Sequence, residues 1–269
     1  MMKKIISRFY IGLVFLFLYA PIFVLIAFSF NESKSRAHWT GFSLKWYAQL
    51  FQSETMMTAL WNSLLVAVVS AICATLLGTA SAVGISNMKR LPRSMLLNVT
   101  YIPVINPEIV MGVSLMLLFL SFEKILGISQ GFGTVVIAHI TFSLPYVILN
   151  VMPKLRQMDS NVYEAAQDLG CSPAQAFRKV VIPEIMPGIF TGFLMAFTFS
   201  LDDFIITFFV SGTKFTTLPL AIYAMTRRKV SPTVNALSAI IFVIVLLILV
   251  LYNIVDAKRG KDAVKKKNA

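Results

Sequence analysis

Four stretches of this chain, residues 9–31, 55–88, 125–153 and 230–255, contain no Asp, Glu, Lys or Arg. Two more, 94–122 and 185–213, are interrupted only by Glu108 and by the pair Asp202 and Asp203. A helix needs about 20 mainly apolar residues to cross a bilayer. Each stretch is long enough for one crossing, so the sequence predicts six, over about 9–30, 61–86, 95–120, 133–153, 185–210 and 234–255. The stretches run far beyond strand length without alternation, which excludes a membrane β-barrel. Charged residues make up 13% of the chain, against about 25% in soluble domains. The fold class is therefore an all-α membrane protein forming one transmembrane domain over 1–269, and an ordinary soluble enzyme is excluded.

Lys3, Lys4 and Arg8 precede the first stretch as a basic region precedes a signal sequence, but the apolar core is too long and no small-residue cleavage site follows. It is read as the first spanning helix. Six helices put both termini on one side. With the termini inside, 16 of the 24 Lys and Arg residues lie in inner segments and eight in outer ones. That bias predicts cytoplasmic termini and a multi-pass bacterial inner-membrane protein. The tail from Lys258 to Lys267 could hold anionic lipid, although topology alone accounts for its charge.

Cys73, Cys171, His38 and His139 show no metal-ligand spacing, so no metal or redox site is expected. Ala74, Gly78 and Ala82, four residues apart, suit close helix packing, inside the subunit or between subunits. Trp39, Phe42, Trp46, Tyr47 and Phe51 predict an amphipathic segment after Ser43 at the outer membrane interface. It is either an aromatic belt or a docking surface.

The longest inner connection, 154–184, carries the most specific signals. Asn161 followed by Glu164 reads as a helix start. Gly170 reads as a helix-ending residue. Ser172, Pro173 and Gln175 read as a second start with a capping box, and Pro183 as a stop or kink. The segment predicts two short helices, about 161–169 and 173–182, turning at Gly170. A DNA-binding helix–turn–helix is disfavoured, because four basic residues are balanced by Asp159, Glu164, Asp168 and Glu184. A stiff knob suited to docking a protein fits better.

Glu164-Ala165-Ala166, the spaced Gly170 and the terminal Val180-Val181-Ile182-Pro183 resemble the EAA loop of permease subunits in ATP-binding-cassette importers. The resemblance implies a type I importer permease fold, with coupling helices between spans four and five. Glu164, Ala165, Ala166 and Gly170 would then dock on a separate ATPase. The chain has no GxxxxGK[ST] phosphate loop, so ATP hydrolysis by that route needs a partner. The chain is expected to be a transport subunit rather than an enzyme, with no cofactor of its own and with ATP and Mg²⁺ on partner subunits.

Carboxylates inside spans are costly, by about 2.5–3.5 kcal/mol for a central Asp, and usually face a water-filled path. Glu108 is expected near mid-membrane in the third helix, where Pro103 and Pro107 free backbone carbonyls, as is tolerated where a segment lines a cavity. Asp202 and Asp203 are expected at adjacent positions of the fifth, where successive side chains point about 100° apart, so that one of them faces the path. No Lys or Arg shares their depth, so no internal ion pair is expected. A structural role, protonated or paired to a neighbouring subunit, is the alternative. Three acids and no bases argue for a cationic substrate.

Trp39-x-Gly41, Lys45-Trp46-Tyr47, Pro107-Glu108-Ile109-Val110-Met111, Ser200-Leu201-Asp202-Asp203, Leu218-Pro219-Leu220-x-Ile222-Tyr223-x-Met225 and Ser231-Pro232-x-Val234-Asn235-Ala236 are similar to the spermidine/putrescine branch of these permeases. That resemblance implies a second related permease subunit, two ATPase copies and an external polyamine-binding protein, with no nucleic acid involved. Tyr223 has two readings by position, an aromatic at the outer mouth or interfacial packing. Arg227, Arg228 and Lys229 fit less well, since three cations would repel a polycation. Rival readings are the same machine for ferric ion or another organic cation, an ion-coupled secondary transporter, and a scaffold without transport.

Overall fold

A computed structural model describes residues 2–33, 38–127, 129–228, 232–243, 246–247 and 250. Among them the chain is helical, with one isolated backbone bridge. The helices are α1 Met2–Ser29, α2 Lys45–Gln52, α3 Glu54–Ser86, α4 Arg90–Ile105, α5 Glu108–Leu126, α6 Phe132–Gln157, α7 Ser160–Asp168 and α8 Pro173–Ala176. A π-helical turn, Phe177–Val181, leads into α9 Ile182–Asp202, followed by α10 Ile205–Val210, α11 Leu218–Arg228 and α12 Pro232–Val243. Five helical segments are long and apolar enough to cross a membrane: Ser7–Ser29, Glu54–Ser86, Glu108–Leu126, Phe132–Gln157 and Pro173–Asp202. The sixth expected span begins within α12 and runs beyond the described residues, as do Lys229 and the basic tail.

The chain forms two units, Met1–Met57 with Ile222–Ala269, and Thr58–Ala221. In the first, α1 turns its apolar side chains outward, as a lipid-facing helix does; Phe9, Leu16 and Phe17 are among the most exposed. The aromatic segment after it is an amphipathic helix, α2, as expected. Its inner face does more than line an interface. Trp46 and Leu50 are buried, and the Trp46 indole Nε1 donates to the Asn31 carbonyl at 2.6 Å. The Asn31–Phe42 bridge and the Phe30–Phe42 ring stack close the loop between α1 and α2. Trp39, Phe42 and Phe51 remain exposed.

In the second unit α6 is the central post, with α3 and α9 packed on it through small residues. A Cβ at Gly78 would lie 2.7 Å from the Val147 side chain, and one at Gly192 3.1 Å from the Val147 Cα. One at Gly188 would lie 2.8 Å from the Asn150 carbonyl oxygen. Glycine lets these backbones approach where any side chain would hold them apart. Ala74 and Ala82 are fully buried in the same cluster as Val147, Ile148 and Val151. The small-residue spacing of the second apolar stretch thus serves packing within the subunit. A second cluster, including Phe119, Val136, Phe142 and Ile206, joins α5, α6 and α10.

The loop 158–184 forms a knob fixed to this core. Tyr163, Phe177 and Met158 pack on the first cluster, and Val181 belongs to it. Two details differ from the sequence reading. Asp159, not Asn161, is the N-cap of α7, its side chain accepting from the Asn161 N–H at 3.0 Å. Pro183 does not end the second helix. It lies in the first turn of α9, where its missing N–H costs least, after the π-helical turn has absorbed the change in backbone register. The Ser172–Gln175 capping box is present as expected, with both reciprocal bonds.

Candidate functional site: a cavity between two broken helices

The third apolar stretch is two helices. Proline restricts its predecessor to extended backbone and has no N–H to donate. Asn106 and Pro107 are accordingly extended, with ψ 139° and 133°. The chain leaves α4 at Ile105 and starts α5 at Glu108. Glu108 therefore occupies the first turn of a helix rather than the middle of one, where the helix dipole favours its negative charge.

The fifth stretch is broken too. α9 ends at Asp202, Asp203 is extended (φ −61°, ψ 125°), and α10 starts at Ile205. The two aspartates are not consecutive positions of one helix. The Asp203 carboxylate turns inward and caps the next helix, Oδ1 accepting from the Ile206 N–H at 3.3 Å and Oδ2 from the Thr207 N–H at 2.7 Å. Asp202 stays exposed.

A partner for Asp203 is present at the same depth, contrary to the sequence expectation. His139 of α6 is fully buried, with Nε2 at 3.3 Å from Asp203 Oδ2. The Thr207 hydroxyl donates to Asp203 at 2.7 Å and lies 2.9 Å from His139 Nε2. His139 Nδ1 lies 2.6 Å from the Ser200 hydroxyl, which is 2.9 Å from that of Ser70. One buried network thus ties α3, α6, α9 and α10 together across the break. Sequence reasoning treated His139 as isolated. The available signal was a histidine in an apolar stretch matched by an acid in another.

Both breaks open on one cavity of about 630 Å³. Glu108, Asp202 and Asp203 line it together with Pro103, Val104, Asn106 and Pro107 of the first break. Phe142, Tyr146 and Phe199 supply aromatic surface, the Tyr146 and Phe199 rings meeting edge-on with centroids 4.7 Å apart. Carboxylates beside aromatic faces form a setting for cations, which ring faces also attract. Tyr146 and Phe199 were not singled out from sequence, because aromatics in apolar stretches are ordinary core residues.

Tyr223 belongs to the other unit, on α11. The Arg227 guanidinium lies over its ring, 5.6 Å from the centroid.

The coupling residues predicted from sequence lie together on the knob. Gly170 has φ +87°, which L side chains rarely adopt, and its turn is a Schellman motif. The Cys171 N–H donates to the Ala166 carbonyl at 3.1 Å, and the Gly170 N–H to the Gln167 carbonyl at 2.8 Å. Glu164 and Ala165 are exposed on α7. Two apolar neighbours extend that surface: Val162 is 51% and Leu169 87% exposed.

The family described as "Binding-protein-dependent transport system inner membrane component" matches residues 74–261. The spermidine/putrescine transport system permease protein PotC of Haemophilus influenzae is 37% identical over 259 residues, 94% of this chain and 99% of that protein. PotC of Escherichia coli is 35% identical over 97% of each chain. The putrescine transport system permease protein PotI of Escherichia coli is 40% identical over 84% of this chain and 82% of its own. Among solved structures, a bacterial ABC transporter involved in the import of the acidic polysaccharide alginate matches with a TM-score of 0.70 at 14% identity, covering 95% of both chains. That likeness shows a shared fold. By family match and by near full-length identity to curated permeases, this chain belongs to the inner-membrane permease family of binding-protein-dependent ABC importers.

Proposed function

We propose that this permease imports polyamines of the spermidine and putrescine class. The observation that carries the reading is the cavity where both helix breaks meet, lined by Glu108, Asp202 and aromatic faces. A polyamine presents several ammonium groups along a flexible apolar chain. Exposed carboxylates can pair with the ammonium groups, and Tyr146 and Phe199 offer surface to the methylenes and attraction to the charge. Asp203 is committed to its own helix cap and to His139, so Glu108 and Asp202 are the acids assigned to substrate. The names of the relatives point to the same substrates. Tyr223 is assigned to the outer mouth of the path.

Both termini are placed in the cytoplasm by the charge bias, which puts the knob on the cytoplasmic side. The proposed partners are a second permease subunit, two ATPase copies holding ATP and Mg²⁺, and an external polyamine-binding protein. Glu164, Ala165, Ala166 and Gly170 form the ATPase-docking face. One helical run of 30 residues, Pro173–Asp202, connects that face to the cavity. At 1.5 Å per residue it reaches about 45 Å. Closure of the ATPase dimer moves the knob, the run carries the displacement to the break at Asp203, and the cavity changes the side on which it opens.

The test is labelled spermidine uptake by proteoliposomes holding the complete complex, comparing wild type with Glu108→Gln, Asp202→Asn and Glu164→Ala. ATP-dependent uptake lowered by all three supports the reading. ATP-dependent transport of another cation with no spermidine uptake removes the substrate and keeps the machine. Uptake that survives ATP depletion and collapses with the proton gradient replaces the mechanism with ion coupling.

A further inference from the structure

A second cavity, of about 830 Å³, lies between α4 and α6 at the end of the unit that carries the knob. Arg90, Arg93 and Arg156 line it, and no acidic residue does. None of the three guanidinium groups has an ion pair or hydrogen bond among the described residues. Arg93 and Arg156 also line the adjoining cavity with Glu164, so three arginines face one carboxylate and the α4–α6 cavity keeps a net positive charge that favours an anion. It does not suit the proposed substrate, which three cations would repel.

Ser94, Asn98 and Gln157 add polar groups to the lining, and its apolar part says which anion. Leu97, Leu149 and Met152 give the cavity an apolar wall beyond the arginines. On the opposite face of α4, Leu91, Met95, Val99 and Ile102 are all more than half exposed, and no residue of α4 is buried. The helix thus presents cations at its first turn, an apolar cavity wall further along, and an apolar outer stripe over its whole length. A polar anionic head joined to hydrocarbon matches that order.

We infer that the α4–α6 cavity is a binding site for an anionic phospholipid, its phosphate held by Arg90, Arg93 and Arg156 and its acyl chains lying along Leu97 and Met152. Basic pockets between spanning helices on the cytoplasmic side hold anionic head groups in this way. The site rests on the cytoplasmic placement of the knob proposed above, and does not depend on which substrate is carried. It differs from the basic tail, which lies outside the described residues.

The experiment is native mass spectrometry of the complete complex, purified in detergent and supplied with phosphatidylglycerol, phosphatidylcholine or glycerol 3-phosphate. Wild type should retain phosphatidylglycerol through mild activation and release phosphatidylcholine. Arg90→Gln/Arg93→Gln/Arg156→Gln should lose that retention, with about a fivefold drop in affinity for each arginine removed. Glycerol 3-phosphate should not displace the lipid. Where the triple variant fails to assemble, the single Arg93→Gln complex carries the same comparison. Equal retention of the two lipids, or of phosphatidylglycerol by wild type and variant, overturns the inference. Displacement by glycerol 3-phosphate would make it a free-phosphate site. Loss of a partner subunit with unchanged lipid retention would make it a protein contact. The readout involves no polyamine, so the inference and the substrate proposal stand or fall separately.

Discussion

His139 Nε2 sits 3.3 Å from Asp203 Oδ2, joining a buried ring on α6 to the residue at which the fifth apolar stretch breaks. Buried charges in proteins persist when they are paired and hydrogen-bonded. Here the carboxylate has the histidine, the Thr207 hydroxyl and two backbone N–H groups. The break in the helix thereby pairs the buried carboxylate and the Ile206 and Thr207 N–H groups, as polar groups at membrane depth require.

Asp203 and its neighbour should therefore separate by assay. Asp203→Ala removes a helix cap and leaves a buried donor unpaired, which together cost about 2–3 kcal/mol. Asp203→Asn keeps an acceptor for the cap and should cost about half as much. Asp202→Asn, at an exposed side chain, should change stability by less than about 0.5 kcal/mol while raising the KM for uptake. Thermal denaturation of the purified complex beside transport kinetics reads both. Equal loss of stability in the Asp202 and Asp203 variants would sink the division of roles.

The helix contacts around α6 predict a sign difference for one substitution at two glycines. At Gly188 a Cβ would come 2.8 Å from the Asn150 carbonyl oxygen, whereas at Gly84 it would meet nothing within 4 Å. Gly188→Ala should destabilise by about 1–3 kcal/mol through overpacking. Gly84→Ala should be neutral or stabilising by up to about 1 kcal/mol, since alanine is the better helix former. Melting temperatures of the two variants check this, and a neutral Gly188→Ala would mean that α9 is free to move away from α6.

The apolar membrane helices, five of them long enough to span, and the knob were legible because they rest on local rules: long apolar runs, a Ser-x-x-Gln box, a glycine at a helix end. The two helix breaks were only half legible. Pro103 and Pro107 announced the first, yet prolines inside helices also occur, as Pro145 in α6 does. Nothing local announces the second. Asp203 leaves the helix because its carboxylate pairs with His139, 64 residues away on α6, as well as with the nearby Ile206 and Thr207 of α10, and a pairing of the longer range is invisible in a single sequence. The same distance hid His139, and it hid the arginine cavity, where Arg156 of α6 stands 63 residues beyond Arg93 of α4.

Gly170 offers a graded test of the turn. Its φ of +87° lies where a Cβ costs about 1–2 kcal/mol, although space for the atom is open. Asparagine tolerates that conformation better than alanine, and valine worse. ATP-coupled uptake should fall in the order Gly, Asn, Ala, Val at this position, with the ATPase still bound in the first three. An order that follows side-chain volume instead would show that the knob needs room rather than a left-handed residue.

The exposed apolar pair on the knob carries the last prediction. Leu169 is 87% exposed on an element whose interior face is already packed by Tyr163 and Phe177. Leu169 follows Val162 by seven positions and Ala165 by four, so the three share a stripe along α7 and its capped end. Apolar side chains held out on a rigid knob are candidates for burial by a partner, and such anchors cost at least about 1–2 kcal/mol when lost from an interface centre. Leu169→Asp should leave the melting temperature of the isolated permease pair unchanged and reduce co-purification of the ATPase about tenfold or more. Glu164→Ala, removing a charge at the edge of the same surface, should weaken it less. If Leu169→Asp retains the ATPase at the wild-type level, the docking face lies elsewhere on the knob, and the assignment of Ala165 and Ala166 to it falls with Leu169.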